Sequence, residues 1–298
     1  MRGWWQDLTD LVLPAECGGC GTPRTVLCAE CRAALSGAVP RRVRPVPEPP
    51  GLPAVYAAAP YTDEVRAALL AHKERGALAL AGALGAALAG AVRAGLRDGR
   101  TVRIVASWSG TARGAGPAAP VLLVPVPSAP WAVRARGHDP VRRIALAAAA
   151  ELRRAGGSAW VAPVLRHRRA VADQSGLNSR QRFANLAGAL EVTADGARLL
   201  AGGRVVLVDD LVTTGATLAE AARAVREATA SPGAGEGTTA VYRRAAWEGR
   251  EERKTGPAEE RAKWTREAVG MAEVNGLAGL VRAAVVAAAP DSFEMNRN

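Results

Sequence analysis

The sequence predicts an α/β fold: a parallel sheet flanked by helices, with a small four-cysteine module ahead of it. Three observations carry this reading. Apolar strand-like runs alternate with helix-like runs from residue 121 onward, which calls for right-handed crossovers and a parallel sheet. All four cysteines fall between Cys17 and Cys31. The 298 residues are 49% hydrophobic and 22% charged, enough for one large domain or two modest ones. Aromatics make up only 4%, so the core must be built from Ala, Val and Leu.

Trp4, Trp5, Leu8, Leu11 and Val12 suggest a short amphipathic helix leading into the cysteines. That stretch has two acids and no long apolar run, so it is not expected to be a secretory signal. The cysteines read Cys17-Gly-Gly-Cys20 and Cys28-Ala-Glu-Cys31. Two such knuckles offer four thiolates for tetrahedral Zn2+ at ~2.3 Å, with a redox dithiol and an iron–sulfur centre as alternatives. No cysteine lies elsewhere, which excludes a disulfide framework and points to a reducing, cytoplasmic setting. Residues 1–39 therefore read as a zinc-binding module.

Residues 40–53 contain six prolines and the basic cluster Arg41, Arg42 and Arg44, and read as a linker. The second domain then spans 54–298. Tyr56 to Tyr61 fits a short strand and Asp63 to Leu96 a helix. Within that helix, Gly76 to Val92 is uncharged for 17 residues, close to membrane length. Leu80, Leu84 and Leu88 at helical spacing among Ala and Gly instead predict a buried core helix, and no membrane span is expected. Residues 107–120 fit a loop, Val121 to Val126 a strand, Pro140 to Ala155 a helix, and Trp160 to Leu165 a strand. A polar, Arg-rich segment follows from Arg166 to Asn185, then a buried strand from Arg204 to Val208 and a helix from Ala216 to Ala228. Val281 to Ala288 returns as an apolar strand, leaving 229–279 as an insertion between that helix and its strand.

The formal net charge is +11, carried almost wholly by arginine, since Lys73, Lys254 and Lys263 are the only lysines. From Trp131 to Arg182, eleven arginines face only Asp139, Glu151 and Asp173. From Thr229 onward, ten basic and ten acidic residues cancel. The excess sits mid-chain, which excludes an Arg-rich tail. It suits a phosphate-rich small molecule better than a polyanion, because no aromatic stacking platform accompanies it.

The functional centre reads Val205-Val206-Leu207-Val208-Asp209-Asp210-Leu211-Val212-Thr213-Thr214-Gly215-Ala216-Thr217. A buried strand ends in two acids, and a hydroxyl-rich turn then opens a helix. Free N–H groups at a helix start, joined by Thr213, Thr214 and Thr217 hydroxyls, can cradle a phosphate, and Gly215 lets the backbone come close. Asp209 and Asp210 would repel that phosphate, so they should accept from the vicinal hydroxyls of an attached sugar. The plain alternative is a capped turn with two solvated acids. Neither a P-loop nor a dinucleotide fingerprint occurs.

This pattern resembles the 5-phosphoribosyl 1-pyrophosphate (PRPP) loop of type I phosphoribosyltransferases. With the cysteine knuckles, the chain resembles the ComF/GntX family, associated with competence for DNA uptake. Further matches are Leu70-Ala71-His72-Lys73-Glu74-Arg75-Gly76, Val124-Pro125-Val126-Pro127-Ser128, Arg134-Ala135-Arg136-Gly137, and Gln174-Ser175-Gly176-Leu177 leading to Arg182 and Asn185. The resemblance implies a type I phosphoribosyltransferase-like sheet that binds PRPP with Mg2+ and releases pyrophosphate. Asp209 and Asp210 would hold the ribose and stabilise developing positive charge, and Thr213, Thr214, Gly215, Ala216 and Thr217 would bind its 5-phosphate. Pro127 and Ser128 would form the pyrophosphate turn, with Arg134 and Arg136 beside it. Gln174, Arg182 and Asn185 would belong to a hood that excludes water. Each arginine taken alone reads rather as a solvated surface charge, and Lys73 equally as a site residue or a helix-surface charge. The acceptor is not named by any residue pattern. A non-catalytic adaptor that senses PRPP or a nucleotide, and docks a competence protein or single-stranded DNA through the zinc module and Arg41 to Arg44, is the alternative.

The chain departs from that family in the inserted block at 229–279 and at one motif. Arg-Gly-aromatic-Asn-Gln is usual, whereas here Arg136-Gly137-His138-Asp139-Pro140 places an acid beside the expected anion site. Pro140 is expected to start the next helix.

Overall fold

A computed structural model describes residues 16–98, 119–169, 185–230 and 281–296. The elements run as follows: α1 (Ala29–Ser36), β1 (Arg41–Val43), β2 (Ala54–Pro60), α2 (Asp63–Glu74), α3 (Ala81–Asp98), β3 (Val121–Pro125), α4 (Pro130–Arg136), α5 (Pro140–Arg154), β4 (Ala159–Val161), β5 (Leu165–His167), β6 (Leu190–Val192), α6 (Gly196–Ala201), β7 (Arg204–Val212), α7 (Ala216–Ala230) and β8 (Arg282–Ala288). A six-stranded sheet has the order β1-β2-β8-β7-β3-β4, and β5 and β6 form a separate antiparallel pair. Every pairing in the large sheet is parallel except that of edge strand β1 with β2. The predicted α/β fold, with a mostly parallel sheet and helices on its faces, is what the chain adopts.

Small residues govern the packing. Gly85 of α3 lies so close to α5 that a Cβ there would sit 2.4 Å from Ala147 Cβ and 2.8 Å from the Ala148 nitrogen. A Cβ on Gly95 would come within 2.9 Å of the Tyr56 ring. Leu84 and Leu88 are fully buried between α5 and the sheet. Leu78–Asp98 is long and apolar enough to cross a membrane, but as expected it lies within the core. The other face of the sheet is covered by α7, whose buried Leu218, Ala221, Ala222 and Val225 meet Val205, Leu207 and Val285.

Four expectations need correction. The single helix from Asp63 to Leu96 is broken, because α2 stops at Glu74 and Gly76 takes φ +67°, a left-handed turn that glycine adopts without strain. Arg41–Val43, placed in the linker by composition, is instead the sheet's edge strand. The strand expected over Trp160 to Leu165 is two short strands, β4 and β5, which pair with different partners. Finally, β7 continues past Val208 to Val212, because β8 goes on pairing with it as far as Val212 opposite Ala288. The amphipathic stretch at Trp4 to Val12 and all of the insertion beyond Ala230 as far as Gly279 lie outside the described residues.

The cysteine module is continuous with the main core. Cys17, Leu27, Cys31 and Leu35 share one buried cluster with Leu69, Leu80 and Leu84. A Cβ on Gly18 would come within 2.6 Å of Leu80.

Gly85→Leu is expected to lower unfolding stability in urea by about 1–3 kcal/mol through overpacking of the α3–α5 crossing. Gly82→Ala, on the open face of α3, is expected to leave stability unchanged or raise it by up to about 1 kcal/mol.

Candidate active site and metal centre

Parallel strands align their C-terminal ends, and the turns leaving β3 and β7 therefore emerge side by side. Val126 donates its N–H to the Val208 carbonyl at 2.9 Å, which ties the start of the Pro127-Ser128 turn to the residue before Asp209. Asp209 and Asp210 lie within β7, with Asp209 opposite Val285 of β8.

Successive strand residues point to opposite faces, so the two acids have different surroundings. Asp210 is 6% exposed, and its Oδ2 accepts from Lys73 Nζ at 2.9 Å. Burial opposes charging Lys73, but the Asp210 carboxylate outweighs it and raises the ammonium above its usual pKa. Asp209 is half-buried, and its Oδ1 accepts from the N–H of Asp210 at 2.8 Å. Burial and the adjacent Asp210 raise its carboxyl well above the usual range. A carboxylate held this way gains most from hydroxyl donors or positive charge brought to it by a ligand.

The Thr213–Thr217 turn follows directly. Gly215 is buried with φ +73°, so the turn requires glycine there. Its empty Cβ position is bounded by Leu52 at 3.1 Å and Pro45 at 3.2 Å, so the Pro-rich segment packs against this turn. Ala216 donates its N–H to Thr214 Oγ1 at 3.5 Å as α7 begins. Thr213 is exposed, and Thr214 and Thr217 are partly so.

The end of α2 meets the segment that follows the Pro127-Ser128 turn. The His138 ring lies between two carbonyl oxygens, Nδ1 3.1 Å from that of Arg136 and Nε2 3.2 Å from that of His72. His72 is fully buried, with its ring nitrogens 3.4 Å from the Ala77 and Pro140 carbonyls, and burial lowers its pKa below the usual value. These contacts fix the end of α2, and with it Lys73. Arg136 Nη1 lies 3.2 Å from Glu74 Oε1 on that same helix end. Arg134 is exposed on α4. Asp139 is engaged as the cap of α5, where its Oδ1 accepts from the Arg142 N–H at 3.1 Å and Pro140 takes the first helical position. The acid at this departure from the family motif therefore serves the helix start.

Lys73 stands in a matched motif with an ambiguous role, and His167 carries no usable sequence signal. Lys73 reads equally as a helix surface charge until its partner, 137 residues away, is known. His167 Nε2 lies 3.2 Å from the Pro127 carbonyl, so that nitrogen must carry the proton and pin the turn. Of the expected hood, Asn185 is described: its carbonyl accepts from Arg169 Nη2 at 2.8 Å, beside the β5–β6 pair. Gln174 and Arg182 lie outside the described residues. Glu220 anchors the same pair, accepting from the Leu190 N–H at 3.0 Å and from Arg223.

The cysteine cluster sits at the other end of α2. All four sulfurs lie within 4.8 Å of one another, and Cys20 and Cys28 Sγ are 3.6 Å apart. A tetrahedron with ~2.3 Å bonds has edges of ~3.8 Å, so the donor set fits Zn2+. Backbone N–H groups of Cys28 and Cys31 donate to Cys17 and Cys28 sulfur at 3.3 and 3.5 Å. Burial works to raise the Cys17 thiol, but backbone N–H donors outweigh it and bring its pKa to about 6. Burial and the neighbouring sulfurs push Cys31 up. A Cβ on Gly19 would lie 2.6 Å from Cys31 Sγ and 3.3 Å from the Glu64 carbonyl, so this knuckle needs glycine where it touches α2.

Purified chain is expected to carry about one equivalent of a thiophilic divalent ion such as Zn2+, read by elemental analysis. Cys20→Ser should lower that occupancy and speed amide exchange across residues 16–36.

No curated protein matches the chain. Residues 149–256 match the family model of the phosphoribosyl transferase domain. That range contains the two acids of β7 and the Thr/Gly turn that follows them.

Proposed function

We propose that this protein binds PRPP and transfers its phosphoribosyl group to an acceptor, releasing pyrophosphate. The observation that carries this is the adjacency of an acidic strand end and a Thr/Gly turn inside the matched domain. Asp209 and Asp210 would accept from the ribose hydroxyls and stabilise an oxocarbenium-like C1′ electrostatically. Thr213, Thr214, Gly215, Ala216 and Thr217 would hold the 5-phosphate at the start of α7. Pro127, Ser128 and Arg136 would receive the pyrophosphate, with Arg134 at its rim. Gln174 and Arg182 would close over the ligand, starting from Asn185.

Asp210 is paired with Lys73 and Asp209 with a backbone N–H, so neither presents a free carboxylate cage for a metal. This fits Mg2+ that arrives coordinated by PRPP oxygens and keeps its waters, where it would neutralise the leaving pyrophosphate. The cysteine cluster would hold structural Zn2+, and free thiols in that role suit a reducing cytoplasmic setting. The pairing of this module with the domain supports a place in the ComF/GntX family, and through it a link to DNA uptake.

One observation favours the adaptor reading. Arg41 and Arg42 are exposed on edge strand β1 and Arg44 just beyond it, with Arg41 stacked 5.5 Å from the Phe293 ring. The segment just beyond them touches Gly215 through Pro45 and Leu52, so a ligand on the turn has a direct mechanical path to this basic edge.

Calorimetry with PRPP and Mg2+ is expected to show binding, and the Asp209→Asn, Asp210→Asn double variant should weaken it at least tenfold. Unaltered binding in that variant would rule out the assignment of the acids. Pyrophosphate release with an acceptor base or amine separates enzyme from sensor. In the adaptor reading, affinity for single-stranded DNA should fall steeply with salt, and the slope should flatten by about 0.7 per arginine replaced among Arg41, Arg42 and Arg44.

A further inference from the structure

Glu74 follows Lys73 on α2, yet the two residues have opposite surroundings. Lys73 reaches the buried Asp210, whereas Glu74 is half exposed and pairs with Arg136. The Arg136 side chain is 15% exposed against 50% for Glu74. Its Nε is buried and has no hydrogen-bond partner. Arg136 is also near enough to Lys73 to oppose its charge. A guanidinium presents its N–H donors in a planar fork that fits two oxygens of one anion. Here one carboxylate oxygen, on a solvent-facing side chain, meets Nη1 alone, so the Nη1/Nη2 fork is filled on one side only, and the buried Nε lies on the other edge. Such a pair contributes little stability, so an anion that fills the fork better can replace it.

We propose that Glu74 is the internal counter-anion of Arg136, displaced when the pyrophosphate group of a ligand takes the guanidinium fork. It thereby sets how strongly the site favours pyrophosphate-bearing ligands over ribose monophosphates. The inference rests on the reading that Arg136 faces the pyrophosphate turn; the 5-phosphate turn lies at the end of the neighbouring strand β7. Loss of the Glu74 charge removes the competitor, and a glutamine can still accept from Nη1. Glu74 is half exposed, so this substitution does not threaten the fold.

The test is calorimetry on the full chain with PRPP, inorganic pyrophosphate and ribose 5-phosphate, each with Mg2+, at low ionic strength. Glu74→Gln should tighten PRPP and pyrophosphate about two- to fivefold, the range of a solvent-exposed ion pair, and leave ribose 5-phosphate unchanged. The gain should disappear in an Arg136→Gln background. Pyrophosphate affinity that is unchanged or weaker in Glu74→Gln overturns the proposal, as does equal tightening of ribose 5-phosphate. If wild type binds neither PRPP nor pyrophosphate, the reading of the site fails, and this inference fails with it.

Discussion

A buried carboxylate near the end of a parallel strand needs a cation, and the Lys73–Asp210 pair meets that need. Asp210 has little access to water, so without Lys73 its charge would lie uncompensated beside Asp209. The pair also dictates what the rest of the chain must do. Lys73 sits on the last turn of α2, so α2 must lie across the strand ends and stop there. The Gly76 turn ends it, the His72 and His138 contacts hold its end, and the cysteine module abuts its first turn through Gly19 and the Glu64 carbonyl. The module's position at the opposite end of the helix lets it support Lys73 from a distance.

The same helix end explains why the site is charged in layers. Asp210 neutralises Lys73 in the interior, and Glu74 neutralises Arg136 at the surface. Breaking the inner pair exposes a buried charge, whereas breaking the outer pair returns a carboxylate to water. On the proposed reading, a polyanion would exchange the outer pair and leave the inner one in place.

What was legible in the sequence was local. Strands β2, β3, β7 and β8 are short apolar runs bounded by turn residues, and the acids and Thr/Gly turn form one unbroken motif. Pairings were not legible, because periodicity reports which face is buried and not what covers it. Nothing local distinguishes Lys73 from Arg75, or joins His167 to Pro127. β1 was hidden because prolines surround a three-residue strand, and the extension of β7 to Val212 depends on β8, which follows seventy residues later in the chain. The turn at Gly76 was legible only in hindsight, since the apolar spacing continues across it.

The mid-chain arginine excess now divides by task. Arg153 bonds the Ala159 carbonyl and stacks on Trp160, Arg166 and Arg168 pair with Glu191, and Arg169 holds the carbonyls of Asn185 and Ala187. These arginines secure β4 and the β5–β6 pair, the elements that flank the start and end of the expected hood. Arg136 instead pairs with the solvent-facing Glu74, on the helix end that also carries Lys73. The net charge of the segment therefore says little about anion binding. What identifies a binding arginine is a donor fork that the fold leaves incomplete.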